Sequence, residues 1–242
     1  MKVVVINAAP RMEAGNTQMM LTPLLVGMRH EGAEVDVAFL GRKKIKPCIG
    51  CFTCYAKTPG CCVHADDMPG LIDRIRAAEM LVLAVPIYLD QVTSLAKIFI
   101  DRLVTFLDPH FEQDDQGLLH PMRWKFPPKL FLASVCGYPG MHNFDPVMSY
   151  MKKLARNLHT EFVGAMLRPA VFSCLMTHRY ADQIRGVMEA ARLLGQELGR
   201  RGKVSDELVK AVAADICSVE ELRKAANAHW DREIDKHKDR PA

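Results

Sequence analysis

Apolar residues fall along this chain in two alternating patterns. Short continuous runs at Lys2–Asn7, Met80–Val85 and Leu130–Val135 read as strands buried on both faces, as in a parallel sheet. Glu34–Leu40 adds an alternating strand, and a fifth lies within Glu161–Phe172. Between them, apolar residues recur at helical spacing. Met20, Leu21, Leu24, Leu25 and Met28 share one face, as do Leu71, Ile72 and Ile75. A helix from Thr93 to about Val104 turns Leu95, Ile98, Phe99 and Leu103 inward, and Ala181–Gly199 carries the stripe Ile184, Val187, Met188, Ala191, Leu194 and Leu198. Asp145–Leu158, Asp206–Ala214 and Val219–Lys236 read as further helices. Asn16 or Thr17 is the expected N-cap of the first helix, and Pro23 is expected to kink it. Asp66 and Asp67 suit the start of the second, where negative charge meets the positive helix end. Residues 106–128 hold four prolines and little periodicity. A stretch of that length predicts a role in subunit contacts or in covering a ligand.

Strands alternating with helices predict one doubly wound α/β domain over residues 1–242, with a five-stranded parallel sheet. A cysteine loop at 44–68 and a helical C-terminal extension at 203–242 are its two additions. Ligands of such sheets bind at the carboxyl ends of the strands. Loops 8–17, 86–91 and 134–140 leave strand ends there, and the cysteine loop is expected to open on the same edge. The first loop enters a helix N-terminus, whose free N–H groups and positive end suit a phosphate. Arg11, Asn16 and Thr17 add a charge and two polar side chains. An ordinary capped βα turn has the same features.

The densest chemistry lies between Cys48 and Cys62, which hold five of the eight cysteines. Cys48, Cys51 and Cys54 follow a C-x2-C-x2-C spacing, and Cys61 and Cys62 return after a Thr-Pro-Gly turn. Three thiols from one tight loop with a fourth brought back suit an iron–sulfur cube. Structural zinc with His64 as a ligand, a disulfide framework and a loop of free thiols are the other readings. Spacing alone leaves Cys61 and Cys62 as rivals for the fourth position. The basic run Arg42, Lys43, Lys44 and Lys46 is expected to offset thiolate or cluster charge.

Composition narrows the function classes. Of 242 residues, 49% are hydrophobic and 25% charged, with a net charge of +4, ordinary for a soluble globular protein. No dense basic face with interleaved aromatics points to nucleic acid. No apolar run approaches the length of a membrane span. The opening MKVVVINAAPR has too short an apolar core for a signal peptide. A cytoplasmic location, where thiols stay reduced, is therefore expected.

Three segments carry a family resemblance. Ala9-Pro10-Arg11 followed by Gly15-Asn16-Thr17 resembles the phosphate loop of the NAD(P)H-dependent FMN reductase group of flavodoxin-like proteins. Pro86-Ile87-Tyr88, Ser94-Leu95-Ala96-Lys97 and Asp101-Arg102 resemble a second motif of that group. The cysteine loop ending in Asp66-Asp67-Met68 is similar to that of its iron–sulfur flavoproteins. The resemblance implies a flavodoxin-like sheet of order 2-1-3-4-5. It implies FMN with its phosphate at Ala9, Arg11, Asn16 and Thr17. The flavin ring would lie against Pro86, Ile87, Tyr88, Leu89 and Asp90 on one side and Cys136, Gly137 and Tyr138 on the other. Tyr88, Asp90 and His142 are the side chains expected beside it. The resemblance further implies a [4Fe–4S] cluster on Cys48, Cys51, Cys54 and Cys62, the Thr-Pro-Gly-x-Cys pattern favouring Cys62.

The implied function is electron transfer between NAD(P)H or another donor, FMN and the cluster. A small molecule or redox protein would be the acceptor, and the protein would be a homodimer or homotetramer. Two alternatives are a cluster-free NAD(P)H-dependent FMN or quinone reductase, and a non-enzymatic metal-binding or thiol-sensing protein. The chain departs from the pattern twice. Ala9 stands where a serine is expected, removing one hydroxyl donor from the phosphate loop, and Cys61 adjoins Cys62.

Overall fold

Five parallel strands form the central sheet of the computed structural model, which describes residues 1–176 and 178–238. In chain order the elements begin β1 (Lys2–Asn7), α1 (Asn16–His30), β2 (Glu34–Phe39), the single turn α2 (Thr53–Ala56) and α3 (Met68–Arg76). They continue with β3 (Met80–Pro86), α4 (Ser94–Arg102), β4 (Glu112–Asp114), β5 (Gly117–Leu119), β6 (Lys129–Val135), α5 (Asp145–Asn157) and β7 (Glu161–Arg168). Helices α6 (Ala181–Arg201), α7 (Asp206–Ala213) and α8 (Val219–Asp235) complete them. The sheet order is β2-β1-β3-β6-β7, the predicted 2-1-3-4-5 once the separate β4-β5 pair is set aside.

The continuous apolar runs are strands covered on both faces. Every residue of β1 from Val3 onward is buried, as is β3 from Met80 to Val85. On one face Leu71, Ile75, Phe99, Val147 and Met151 pack from α3, α4 and α5. On the other, Met20, Leu24, Met28, Leu194 and Leu198 pack from α1 and α6. Burying both faces this way is the main stabilising term, at roughly 25 cal/mol per Å2 of apolar surface removed from water.

Two local expectations change. Gly15, not Asn16 or Thr17, holds the N-cap position of α1, in extended conformation and with no side-chain hydrogen bond. The first-turn amides of α1 therefore keep no capping partner. Pro23 lies within α1, which continues from Asn16 to His30 as one helix. The 106–128 stretch is not wholly irregular: β4 and β5 pair antiparallel across Asp115 and Gln116. Asp114 Oδ1 accepts the Gln116 N–H at 2.8 Å, and Gly117 takes φ +117°, the positive value that such a turn demands.

The C-terminal extension is tied to the sheet by one buried cation. Arg168, at the end of β7, is fully buried. It donates through Nη1 to the carbonyls of Val212 (2.9 Å) and Ala214 (2.6 Å) and through Nη2 to Ser173 Oγ (3.1 Å). Ser218 then caps α8 in a reciprocal box with Glu221, which sets the direction of the last helix.

Helices α1 and α6 touch through their backbones. A Cβ added to Gly195 would overlap the Leu24 carbonyl oxygen, and one added to Gly27 would overlap that of Arg192. Gly195→Ala should therefore force the helices apart and cost about 1–3 kcal/mol. Urea denaturation checks this, and an unchanged midpoint would contradict the close crossing.

Candidate functional site

Two cavities hold the residues singled out from the sequence. The first, of about 320 Å3, opens at the carboxyl ends of β1, β3 and β6. It brings together Ala9, Arg11, Asn16, Thr17, Pro86, Ile87, Tyr88 and Gly137. The loop is held open for a ligand by bonds made behind it. Asn7 Oδ1 accepts the Ala9 N–H at 2.9 Å, and Thr93 Oγ donates to the Ala8 carbonyl at 2.8 Å. The uncapped first turn of α1 and the Arg11 guanidinium then face a common space. That combination fits a phosphate.

Five expected residues lie apart from this cavity's walls. Leu89 is fully exposed, and both Leu89 and Asp90 sit at positive φ in the turn after β3. Tyr138 is largely exposed. Cys136 is buried at the end of β6, where its N–H bonds the Arg168 carbonyl and burial pushes its thiol pKa up. His142 is likewise absent from the walls. One wall escaped sequence reasoning: Trp230 of α8 lines the cavity, more than two hundred residues beyond the phosphate loop. It belongs to no stripe or motif that could have marked it.

The second cavity, of about 310 Å3, is lined by Cys48, Cys51, Cys54 and Cys62. Cys61 does not line it; with Cys62, Trp124 and Arg76 it lines an adjoining recess that shares Cys62 and Arg102 with the cavity. Burial raises the Cys54 thiol, and its neighbours Cys62, Cys48 and Cys51 raise it further, so the four sulfurs share one neighbourhood. Positive φ at Gly50 (65°), Phe52 (52°) and Gly60 (78°) curls the backbone between them. Among the described residues, no three His, Cys, Asp or Glu side chains converge on a point that would hold a single metal ion. Tetrahedral zinc needs such a point, with each sulfur about 2.3 Å from the metal. A cube binds each cysteine to a different iron, and four thiols around a roomy cavity fit that donor set better.

The cavity is not on the strand edge, as expected, but at the C-terminal end of α4; no strand residue lines it. The cause is Arg102, whose side chain is 1% exposed. Its Nη1 donates to Asp66 Oδ2 at 2.7 Å and to the Lys46 carbonyl at 2.8 Å, and Nη2 reaches Asp66 Oδ1 at 3.3 Å. One guanidinium thereby joins the residues before Cys48 to those after Cys62. Asp66 also accepts the N–H of Lys46 (3.0 Å) and Met68 (3.1 Å), and Asp67 accepts that of Lys44 (2.7 Å). Arg102 lines the cavity, whereas Lys43, Lys44 and Lys46 do not; the counter-charge beside the thiols is thus the arginine.

The 106–128 stretch buttresses this loop. A Cβ on Gly60 would overlap the Trp124 indole nitrogen, and Arg76 stacks on the same indole at 4.7 Å. His120 meets Tyr55 with ring centroids 5.6 Å apart. None of these residues lines the phosphate-loop cavity, so within one chain the stretch supports the cysteines and does not cover the first site.

A family model described as NADPH-dependent FMN reductase matches residues 1–141, more than half of the chain. This chain belongs to the NADPH-dependent FMN reductase family. Among its curated relatives, an iron–sulfur flavoprotein of Archaeoglobus fulgidus is 40% identical over 156 residues, 64% of this chain and 63% of that protein. An iron–sulfur flavoprotein of Methanocaldococcus jannaschii is 34% identical over 102 residues, 42% of this chain and 51% of that one. The matched stretches thus span less than two thirds of either relative. Similar solved structures include an FMN-dependent NADH-azoreductase from Bacillus anthracis in complex with FMN, with TM-score 0.60 and 10% identity over 82% of this chain and 100% of that chain. An NAD(P)H:quinone oxidoreductase from Methanothermobacter marburgensis gives TM-score 0.59 and 15% identity over 82% and 96%. These neighbours establish the flavodoxin-like fold of this family member.

Asp66 carries the prediction. Burial alone would raise its carboxyl, but hydrogen bonds from Arg102, Lys46 and Met68 outweigh that and hold it at about 2. A carboxylate depressed on folding stabilises the native state above its unfolded value near 4 and loses that contribution as pH falls toward 2. The wild type should lose stability across that window, and Asp66→Asn should lose less of it. At neutral pH the variant leaves Arg102 buried and unpaired, at a cost of about 3–5 kcal/mol. Denaturant titrations at pH 7 and at falling pH check both points.

Proposed function

We propose that this protein is an FMN-dependent oxidoreductase that passes electrons between NAD(P)H or another donor, FMN and a [4Fe–4S] cluster. The observation carrying the reading is the pairing of two cavities on one helix. Thr93, at the start of α4, bonds the phosphate loop, and Arg102, at its end, clamps the cysteine loop. At 1.5 Å per residue these two anchors stand about 13 Å apart along the axis.

The chain's own residues divide the work. Arg11, Asn16, Thr17 and the first-turn amides of α1 would hold the FMN phosphate, with backbone donors standing in for the hydroxyl that Ala9 lacks. Pro86, Ile87, Tyr88 and Gly137 would flank the ring. Cys48, Cys51, Cys54 and Cys62 would ligate the cluster, and Arg102 would offset its charge. When bound, FMN would supply exchange of paired and single electrons, and the cluster single-electron transfer. The cavity walls would position the flavin and limit water around it.

Assembly and location belong to the same reading. Tyr88, Leu89, Tyr138 and Met141 leave an apolar rim exposed beside the first cavity, which suits a homodimer or homotetramer closing over the flavin. The acceptor would be a small molecule or a redox protein. Among the described residues no helix is long and apolar enough to cross a membrane, and the proposed setting is the cytoplasm.

Two measurements test the proposal. Flavin released from the purified protein should be FMN, and Arg11→Ala or Asn16→Ala should weaken its binding roughly three- to tenfold, the scale of one ordinary hydrogen bond. Unchanged affinity in both variants would put the phosphate elsewhere. Protein purified and reconstituted without oxygen should hold stoichiometric iron and sulfide. Cys62→Ser should abolish the cluster while Cys61→Ser keeps it. Protein with FMN but no iron or sulfide would leave the cluster-free reductase as the function.

A further inference from the structure

Beyond the phosphate loop, beneath α8, lies a larger cavity of about 920 Å3. It adjoins the first through Arg11, Asn16 and Trp230, which line both. A phosphate would occupy only a small part of it. Its walls combine two chemistries. Aromatic faces come from Phe172, His229 and Trp230, with His229 centroids 5.6 Å from Phe172 and 5.3 Å from Trp230. Trp230 is 61% exposed, so its ring is free to stack. Positive charge comes from Arg11 and Arg232. The cavity's carboxylate, Glu233, accepts a 2.6 Å hydrogen bond from Lys236, which offsets its charge. An inorganic anion would leave the aromatic faces unused, and an uncharged aromatic compound would leave the arginines unused. A flat base joined to a phosphate uses both.

We propose that this cavity is an adenosine-phosphate site, with the base against Trp230 and Phe172 and the phosphate on Arg232. It rests on the FMN reading, because the adjoining cavity is then the flavin site. The adenylate has two sources: the adenosine end of the nicotinamide donor, or the AMP half of a flavin dinucleotide. The site is a feature of this chain's C-terminal helix, which lies outside the matched residues 1–141. Its position is fixed by the Arg168 anchor and the Ser218 cap. Trp230 stands between the two cavities, so an occupant of one would touch the side chain that bounds the other.

Calorimetric titration of the full-length, FMN-loaded protein with 5′-AMP and with adenosine 2′,5′-bisphosphate tests the proposal. Both should bind, and Arg232→Ala and Trp230→Ala should each weaken them by about tenfold or more, the lower scale of one lost stacking or ion contact. Arg232 is exposed on α8, so its variant should fold, and its melting curve verifies this. Competition between AMP and NAD(P)H would assign the site to the donor. FAD binding tenfold tighter than FMN, with that advantage lost in Arg232→Ala, would assign it to the flavin. Two results would overturn the site: affinity for AMP unchanged in both variants, or, in protein that takes up FMN, AMP binding that FMN abolishes. The same titrations on protein that takes up no FMN separate the two claims. AMP binding lost in Arg232→Ala would keep the adenosine site and reject the flavin reading.

Discussion

A buried ion pair between Arg102 and Asp66 holds the cysteine loop to the rest of the molecule. The loop leaves β2, carries five cysteines with Ile49, Phe52 and Val63 exposed among them, and must come back in register for α3. Its thiols would otherwise be spread over a flexible excursion whose closure costs entropy. The pair, 2.7 Å long and almost wholly shielded from water, closes the loop at its neck. Such pairs add little net stability compared with apolar packing, yet breaking one strands a buried charge. The geometry is thus enforced by the penalty for leaving it. The same guanidinium is the positive charge beside the cavity, so one residue shapes the loop and tunes its electrostatics.

The position of Arg102 follows from α4. Thr93 caps that helix and bonds the Ala8 carbonyl, so the start of α4 is registered against the phosphate loop. Packing of Phe99 and Leu103 into the core fixes its rotation, and Arg102 is thereby turned to the loop neck. Any shift of α4 would act on both cavities together. The C-terminal extension is coupled in the same manner through Arg168, which links the end of β7 to α7 and brings Trp230 to the phosphate loop.

Much of this was legible in the sequence. Parallel strands announce themselves because both faces are buried, so Val3–Ile6 and Leu81–Val85 needed no partner to be recognised. The phosphate loop and the cysteines are local in sequence, and their spacing survives folding. Rules based on local spacing do not reach contacts between distant segments. Gly15 took the cap expected of Asn16 or Thr17 because its backbone is extended and the helix already begins at Asn16. The charge beside the thiols came from α4, not from the nearby lysines, because only Arg102 is drawn inward by Asp66. Cys61 and Cys62 are indistinguishable by spacing; both line the recess beside Trp124, and only Cys62 also lines the cavity of Cys48, Cys51 and Cys54. Trp230 was invisible for the same reason: α8 carries a weak stripe, and what it meets depends on the Arg168 anchor.

The central claim is that the cysteine loop is shaped by its neck before any cluster arrives. Hydrogen–deuterium exchange of the cluster-free protein tests it most directly. The amides of Lys44, Lys46 and Asp67, which form the neck, should exchange as slowly as core strand amides in wild type and much faster in Asp66→Asn. Rapid exchange at all three in the cluster-free wild type would contradict the claim, because the ion pair would then not be what shapes the loop.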